Sequence, residues 1–323
     1  IGDKSVHSVS SQDVNKFIDT LQELPKNHNK IYPNESIKNI IQLARKNNNE
    51  LMLPETINSN YIQILKKMFE YFHRNRKYID NNPFIGVNIP TKKQSRDIAY
   101  FKDEDLTSIF QHEFFTVTQK SSLIKYSHFQ PYQYWLPLIA LFTGARLNEI
   151  CSLYLKDIEK NEGIWCFNIN SNTVDKTTKT ESSNRIVPIH SFLINLQLLK
   201  YVEFLRNNNR ERLFPELTFH SANGYGHYAG RYIRDRFFKD VGVASIPGHA
   251  KKFHSFRHTF IGKLRNSDVS EEIRQQIVGH SRQTQNSDYG EKFNISTIKK
   301  NIEKCNYQPL NDIDIVKFRL PSI

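Results

Sequence analysis

Residues 143–150 read Thr-Gly-Ala-Arg-Leu-Asn-Glu-Ile, and they separate two stretches with helical patterns. The apolar run from Trp135 to Phe142 predicts a buried helix, which the glycine of this stretch ends. The spacing of apolar residues from Leu147 to Leu153 predicts a second helix directly after the turn. Arg146 therefore follows a Gly-Ala turn between two helices. An arginine near a helix start usually forms a surface ion pair, and Glu149 is its candidate partner.

Other residues suited to chemistry follow this turn along the chain. They are Lys179 in a Thr-Lys-Thr segment, His254 and Arg257 in the stretch His254-Ser255-Phe256-Arg257-His258, His280 after Gly279, and Tyr289 nine residues later. The order is therefore Arg, Lys, His-x-x-Arg, His and Tyr. Every residue type in this order suits one reaction, which is attack on a phosphodiester.

The chemistry of such an attack explains why these residue types belong together. Two guanidinium groups, from Arg146 and Arg257, can each present a planar set of donors to phosphate oxygens without a metal. His254 and His280 can each add a hydrogen bond or transfer a proton. The hydroxyl of Tyr289 is a weak nucleophile because its free pKa is about 10, and a cationic pocket would activate it by stabilising the phenolate. A lysine can protonate the leaving 5′-oxygen. The products would be a 3′-phosphotyrosine and a free 5′-hydroxyl, and rejoining would need no ATP, metal or other cofactor.

Each of these residues also has an ordinary structural interpretation. Lys179 lies in a loop rich in Lys and Thr, where solvent exposure is the default, and Lys176 competes with it for the role of general acid. His254 and His258 have a spacing that can hold zinc, but no glutamate follows His254 and no cysteine lies near it. Tyr289 is one of fifteen tyrosines. The chemical assignment therefore depends on the joint order of these residues.

The periodicity around these residues predicts a mainly α-helical chain with a small antiparallel β-sheet. Ile164 to Ile169 and Arg185 to Ile189 favour strands, and the polar segment from Thr177 to Asn184 favours a hairpin tip. Helical spacing recurs at 194–205, 231–238, 256–264 and 271–278, and in the first part at 14–21, 37–43 and 61–72. The length of 323 residues suggests two domains.

The charge of the chain predicts a polyanionic partner. The sequence contains 45 Lys+Arg against 33 Asp+Glu, which gives a formal net charge of +12 and a pI near 9.4. Residues 1–96 and the remainder of the chain each carry half of this excess. Nucleic acid is the most frequent partner of proteins with such a balance, and a chain that is basic in both parts fits a protein that grips it from two sides.

Composition also excludes several classes of protein. The chain has no window of about 18 continuous apolar residues, so no membrane span is predicted. Its first ten residues lack the layout of a signal peptide. Cys151, Cys166 and Cys305 are widely spaced and odd in number, which indicates reduced thiols in a cytoplasmic protein.

At the quoted positions the chain resembles the tyrosine recombinases of the phage integrase family. Arg146 with the following Leu-Asn-Glu-Ile is similar to the family's first arginine box, and residues 254–258 are similar to its His-x-x-Arg box. Gly279-His280 and the interval to Tyr289 are similar to its last segment. The resemblance implies a helical core-binding domain at 1–90, a linker at 91–96, a catalytic domain at 97–305 and a C-terminal tail at 306–323.

The resemblance also implies an activity, which is metal-independent, site-specific DNA recombination by an integrase of a phage or another mobile element. The implied catalytic residues are Arg146, Lys179, His254, Arg257, His280 and Tyr289, with Lys176 still open as the general acid. Two other interpretations stay open, a type IB topoisomerase-like enzyme and a DNA-binding protein that keeps the fold without cleavage.

The partners implied by the resemblance are double-stranded DNA at attachment or recombination sites and three further copies of the chain, which form a homotetramer on two DNA sites. Accessory DNA-bending proteins are further candidates. The tail is expected to exchange between protomers, and the protein is expected to work in the cytoplasm on nucleoid DNA. The chain begins at Ile1 and not at Met, so an upstream segment is expected, which in many integrases is a small arm-site DNA-binding domain.

Overall fold

The computed structural model describes residues 3–91, 99–117, 129–176, 183–243, 251–280 and 292–320. Its internal contacts divide the chain into two compact units, Ile1–Arg96 and Asp97–Ile323. Nearly all of the expected linker and most of the expected hairpin tip lie outside the described residues, and so do Lys179 and Tyr289.

The first unit consists of short helices around a small apolar core. They are α1 (Ser11–Glu23), α2 (His28–Ile31), α3 (Ile37–Lys46), α4 (Pro54–Ile57) and α5 (Gln63–Glu70), preceded by a 3₁₀ turn at Val6–Ser8. π-helical turns at Asn58–Ile62 and Tyr71–Asn75 extend the helical path of α4 and α5. Val14, Ile57 and Phe84 are fully enclosed in the core of this unit.

The second unit is also mainly helical. Its helices are α6 (Asp103–Phe110), α7 (Glu113–Thr116), α8 (Pro131–Thr143), α9 (Leu147–Cys151), α10 (Ser191–Asn195), α11 (Leu198–Asn207), α12 (Gly226–Tyr232), α13 (Phe238–Asp240), α14 (His254–Asn266), α15 (Glu271–Val278), α16 (Ile295–Ile302) and α17 (Gln308–Asp312). A 3₁₀ turn lies at Leu155–Asp157, and a π-helical segment at Ile233–Phe237 joins α12 to α13. Every residue of α8 from Gln133 to Thr143 is buried, so this helix forms the centre of the unit. None of the helices in the described ranges has the length and apolar character that a membrane crossing requires.

The small β-sheet of this unit confirms the predicted fold class. It has the order β1 (Ile158–Asn161), β2 (Ile164–Ile169) and β3 (Arg185–Pro188), and both strand pairs are antiparallel. Phe167 of β2 lies opposite Ile158 on one side and Val187 on the other, and all three side chains are buried. The sheet therefore contributes one apolar face to the core.

The C-terminal tail packs against its own unit in this single chain. The N–H of Val316 donates to the carbonyl of Phe115 over 2.8 Å, and the N–H of Phe318 donates to Leu196 over 3.1 Å. The ring of Phe318 is 2% exposed and contacts Trp135 and Tyr201. Exchange of the tail between protomers stays a prediction, because it concerns an assembly.

Candidate active site

The turn at Gly144 fixes the start of the site. Gly144 has a φ of 62°, the left-handed region that glycine adopts without strain, and it ends α8. A Cβ atom at this position would lie 2.6 Å from Cδ1 of Phe260 on α14. The glycine therefore allows α8 and α14 to meet closely, and the next residues begin α9.

Arg146 precedes α9 and is held by Glu149, the partner expected from the sequence. The backbone N–H of Arg146 donates to Oε2 of Glu149 over 2.8 Å, and its Nη1 donates to Oε1 over 2.6 Å. The Arg146 side chain stays 26% exposed, whereas that of Glu149 is only 4% exposed. Burial alone would raise the pKa of the Glu149 carboxyl, but the charge and hydrogen bonds of Arg185, followed by the bonds from Arg146, lower it overall.

Arg257 of α14 lies in the interior and hydrogen-bonds to the ends of both α8 and α15. Its Nη1 donates to the carbonyl of Gly144, and its Nη2 donates to the carbonyl of Val278, both over 2.6 Å. The residue is 2% exposed. Burial, followed by the positive charges of Arg146 and Arg185, lowers the pKa of Arg257 to about 9, so the guanidinium stays charged at neutral pH.

His254 is the first residue of α14 and lies at the surface beside His258. The two rings meet edge to face with centroids 4.7 Å apart. Burial, followed by the charges of His258, Arg257 and Arg146, lowers the pKa of His254 to about 4, so the ring is neutral at pH 7. In the part of the chain that the structure describes, no group of three metal-ligating side chains is formed around this pair.

His280 reaches the same region from α15. Gly279 ends this helix with a φ of 66°, and the N–H of His280 donates to the carbonyl of Gln275 over 3.1 Å. The ring is exposed. Burial of part of the ring, followed by the charges of Arg257, Arg146 and Arg185, lowers the pKa of His280. The structure thus brings four of the predicted residues, Arg146, His254, Arg257 and His280, into one cluster.

The two candidate lysines differ in what the structure shows of them. Lys176 is buried, with a side chain 2% exposed, and its Nζ lies 2.5 Å from Oδ2 of Asp157 and 3.1 Å from Oδ1 of Asn170. This ammonium group is therefore enclosed, whereas His254 and His280 are exposed. Lys179 and the predicted nucleophile Tyr289 are outside the described residues.

Sequence reasoning missed a third arginine in this cluster. Arg185 begins β3, and its side chain is only 3% exposed. Its Nη2 donates to Oε2 of Glu149, its Nε to the carbonyl of Ile277 and its Nη1 to the carbonyl of Ser183, each over 2.8 Å. No local pattern pointed to Arg185, because the carboxylate that it shares with Arg146 comes from Glu149, which is distant from Arg185 in the sequence.

The combined arrangement is a cationic surface that can accept an anion. Arg146 and Arg185 bind the Glu149 carboxylate and Arg257 lies within the influence of its charge, while the exposed edge of the cluster carries Arg146, His254 and His280. Fixed donors whose positive charges outnumber the one carboxylate suit the binding of a phosphate and the stabilisation of charge that develops on it.

The comparisons with known proteins agree with this chemistry. The model of the phage integrase family matches residues 113–294, which is more than half of the chain and includes the whole cluster. No curated protein sequence matches the chain.

Two solved structures share the fold at low sequence identity. One is the integrase of the Tn1549 transposon, residues 82–397, in complex with circular intermediate DNA, with 18% identity, a TM-score of 0.52, and coverage of 94% of this chain and 87% of that chain. The other is a dimer of lambda integrase, residues 75–356, bound to a COC′ core site, with 15% identity, a TM-score of 0.50, and coverage of 91% and 87%. On the strength of the family match, this chain belongs to the phage integrase family and is a site-specific recombinase of the tyrosine type.

Proposed function

We propose that this recombinase cuts and rejoins DNA through a 3′-phosphotyrosine intermediate, with Tyr289 as the nucleophile. The observation that supports the proposal is the cluster that brings Arg146 and Arg257 together with His254 and His280. The phenolate of Tyr289 attacks the scissile phosphorus, the bond to the 5′-oxygen breaks, and that oxygen leaves as a hydroxyl after it gains a proton. The reverse attack by a 5′-hydroxyl restores the DNA strand and the tyrosine.

Each residue of the cluster has a proposed role in this step. Arg146 and Arg257 stabilise the charge on the non-bridging phosphate oxygens, which increases in the transition state. Because His254 and His280 are neutral at pH 7, each can donate one hydrogen bond or accept the proton of Tyr289.

Lys179 is the proposed general acid for the leaving 5′-oxygen. Lys176 is the weaker candidate, because its ammonium group is buried and bound to Asp157 and Asn170. A substrate with sulfur at the 5′-bridging position tests this assignment, since a thiolate leaves without being protonated. Lys179→Ala should regain cleavage on that substrate, and selective rescue of Lys176→Ala instead would move the role to Lys176.

The proposed partner is double-stranded DNA, which both basic units contact in the cytoplasm, and the proposed assembly is a homotetramer on two recombination sites. The Tn1549 and lambda integrases named above were solved on DNA, and the equal charge excess of the two parts supports contact by both. We also propose that the chain serves a phage or another mobile element, with accessory DNA-bending proteins, and that its tail exchanges between protomers.

A nicked suicide substrate tests the proposed reaction directly. The short 5′-hydroxyl strand released by cleavage diffuses away, so a covalent protein–DNA complex accumulates and is seen on a denaturing gel. Tyr289→Phe should bind DNA as wild type does and form no complex, because only the hydroxyl is removed. A complex that persists in Tyr289→Phe would contradict the choice of nucleophile, and cleavage that is lost with EDTA would contradict the metal-free mechanism.

A further inference from the structure

Arg185 is the one guanidinium of the cluster to which the proposed reaction gives no task. Its side chain is 3% exposed, and its Nε, Nη1 and Nη2 each donate to a protein oxygen, so we assign it no contact with the phosphate. Its donors point in three directions, toward α9, toward the end of α15, and toward the chain before β3. The residue therefore links three parts of the chain that carry or adjoin the other site residues.

The first link controls the charge around Arg146. Oε2 of Glu149 accepts from Nη2 of Arg185 over 2.8 Å, while Oε1 accepts from Nη1 of Arg146 over 2.6 Å. The carboxylate is thus shared between two cations. Without Arg185, the same carboxylate would pair with Arg146 alone and would cancel the charge that Arg146 presents to phosphate.

The second link controls the turn before His280. Nε of Arg185 donates to the carbonyl of Ile277 in the last turn of α15, where helix carbonyls lack intrahelical partners and a cation is favourable. A Cβ atom at Gly279 would lie 3.0 Å from both Cδ and Nη1 of Arg185. The guanidinium therefore covers the turn that places His280.

We propose that Arg185 is a positioning residue for DNA cleavage, which shares Glu149 with Arg146 so that the carboxylate only partly compensates Arg146, and which holds the Gly279–His280 turn. The inference depends on the proposed function, because cleavage is its readout. Arg185 does not touch the substrate. A lysine cannot replace it fully, since one ammonium group cannot direct planar donors to a carboxylate and two separate carbonyls at once.

The test compares Arg185→Lys and Arg185→Met with wild type on a suicide substrate at saturating DNA. Cleavage should fall by up to about a hundredfold, as expected when a catalytic group is misplaced or compensated. Binding to a single half-site should change much less, because Arg185 is not proposed to contact the DNA. Melting temperatures of all variants show which of them are folded. If Arg185→Met does not fold, cleavage by Arg185→Lys alone is compared with wild type.

A second substrate separates positioning from a general structural effect. A methylphosphonate at the scissile position is neutral, so it lacks the negative charge that Arg146 balances. The defects of Arg146→Ala and of both Arg185 variants should shrink together on this substrate. Arg206→Lys is the matched control, because Arg206 also donates to two carbonyls, those of Leu155 and Ile158, and it should cleave both substrates as wild type does.

Three outcomes decide between the possibilities. Wild-type cleavage by Arg185→Lys and Arg185→Met would overturn the positioning role, and so would an Arg185 defect that stays the same on the methylphosphonate while that of Arg146→Ala shrinks. A wild-type protein that forms no covalent complex on any substrate would instead reject the proposed function itself.

Discussion

Glu149 and Asp157 are both buried carboxylates of the second unit, but their surroundings differ in charge. Glu149 is shared by Arg146 and Arg185 and lies within the influence of Arg257, so three positive charges surround one negative charge. Asp157 binds Lys176, and its other oxygen accepts from the amide of Asn170 over 3.0 Å. The second arrangement is a balanced ion pair with satisfied hydrogen bonds. The arrangement around Glu149 has an excess of positive charge, and we interpret it as a site that binds an anion.

The largest expected effect concerns the balanced pair. Lys176→Met removes one partner and leaves the Asp157 carboxylate buried without its cation, which typically costs about 3–5 kcal/mol of stability. Chemical denaturation measures this loss. The ratio of cleavage on ordinary and 5′-thio substrates should stay at the wild-type value, because the lysine is not proposed as the acid. If Lys176→Met were as stable as wild type and changed this cleavage ratio, Lys176 would act in cleavage and the Lys176–Asp157 pair would not be a purely structural ion pair.

Arg257 tests the unbalanced site. Arg257→Ala should reduce cleavage by about 10²–10³-fold, the usual effect of removing one preorganised donor from a transition state, with a smaller effect on DNA binding. Arg265 lies exposed near the end of the same helix, so Arg265→Ala is a control for lost charge alone. Equal effects of the two substitutions would mean that Arg257 contributes only general attraction to DNA.

Gly144 tests whether the backbone around the unbalanced site is as tightly constrained as its geometry indicates. Gly144→Ala should lower the free energy of unfolding by about 1–3 kcal/mol from the positive φ alone, with an added clash against Phe260. Gly262 lies within α14, and a Cβ added there would have no neighbouring atom within 4 Å, so Gly262→Ala should instead stabilise the protein by about 0.5–1 kcal/mol. Thermal unfolding of both variants measures the difference, and a neutral Gly144→Ala would contradict the constraint.

The smallest expected effect is on pH dependence. Because the pKa of His254 is about 4 and that of His280 is also lowered, both rings are neutral in the free protein at pH 7. A bound phosphate favours the protonated rings, so DNA affinity should rise as pH falls from about 7 to about 5. Fluorescence anisotropy of a labelled duplex measures this change, and a combined His254→Gln and His280→Gln variant should show a flatter profile. Identical profiles would exclude proton uptake by these rings.

The same two histidines affect the stability of the free protein in the opposite direction. An unfolded histidine takes up a proton near pH 6.5, whereas folded His254 does so only near pH 4. The unfolded state therefore binds more protons between these values, and stability falls as pH decreases from about 6.5 toward about 4.

Local patterns in the sequence predicted much of the fold. The apolar spacing located α8, α11, α14 and α15, and the β-branched stretches located β2 and β3. The first strand was missed because Ile158-Glu-Lys-Asn is mostly polar and resembles a loop. The turn that joins β1 to β2 has positive φ angles at Glu162 and Gly163. This hairpin geometry is more often formed by the sequence Asn-Gly.

The sequence indicated the order of the candidate site residues along the chain, but it did not indicate the buried residues that hold them in place. Arg146, His254, Arg257 and His280 could be selected because their residue types suit one reaction. The burial of Arg185 could not be predicted, since a charged residue is enclosed only where distant groups such as Glu149 and Ile277 satisfy it. The burial of Lys176 depends in the same way on its bond to Asp157, which precedes it by nineteen residues.

The packing of Phe318 on Trp135 gives the C-terminal tail an optical signature. The chain has two tryptophans, and the second, Trp165, lies in β2, so Trp165→Phe leaves Trp135 as the sole tryptophan. Departure of the tail would admit water to the Trp135 indole and shift its emission to longer wavelengths. Docking of the same segment, from its own chain or from a neighbour, would reverse the shift, so fluorescence can follow the tail while recombination complexes form.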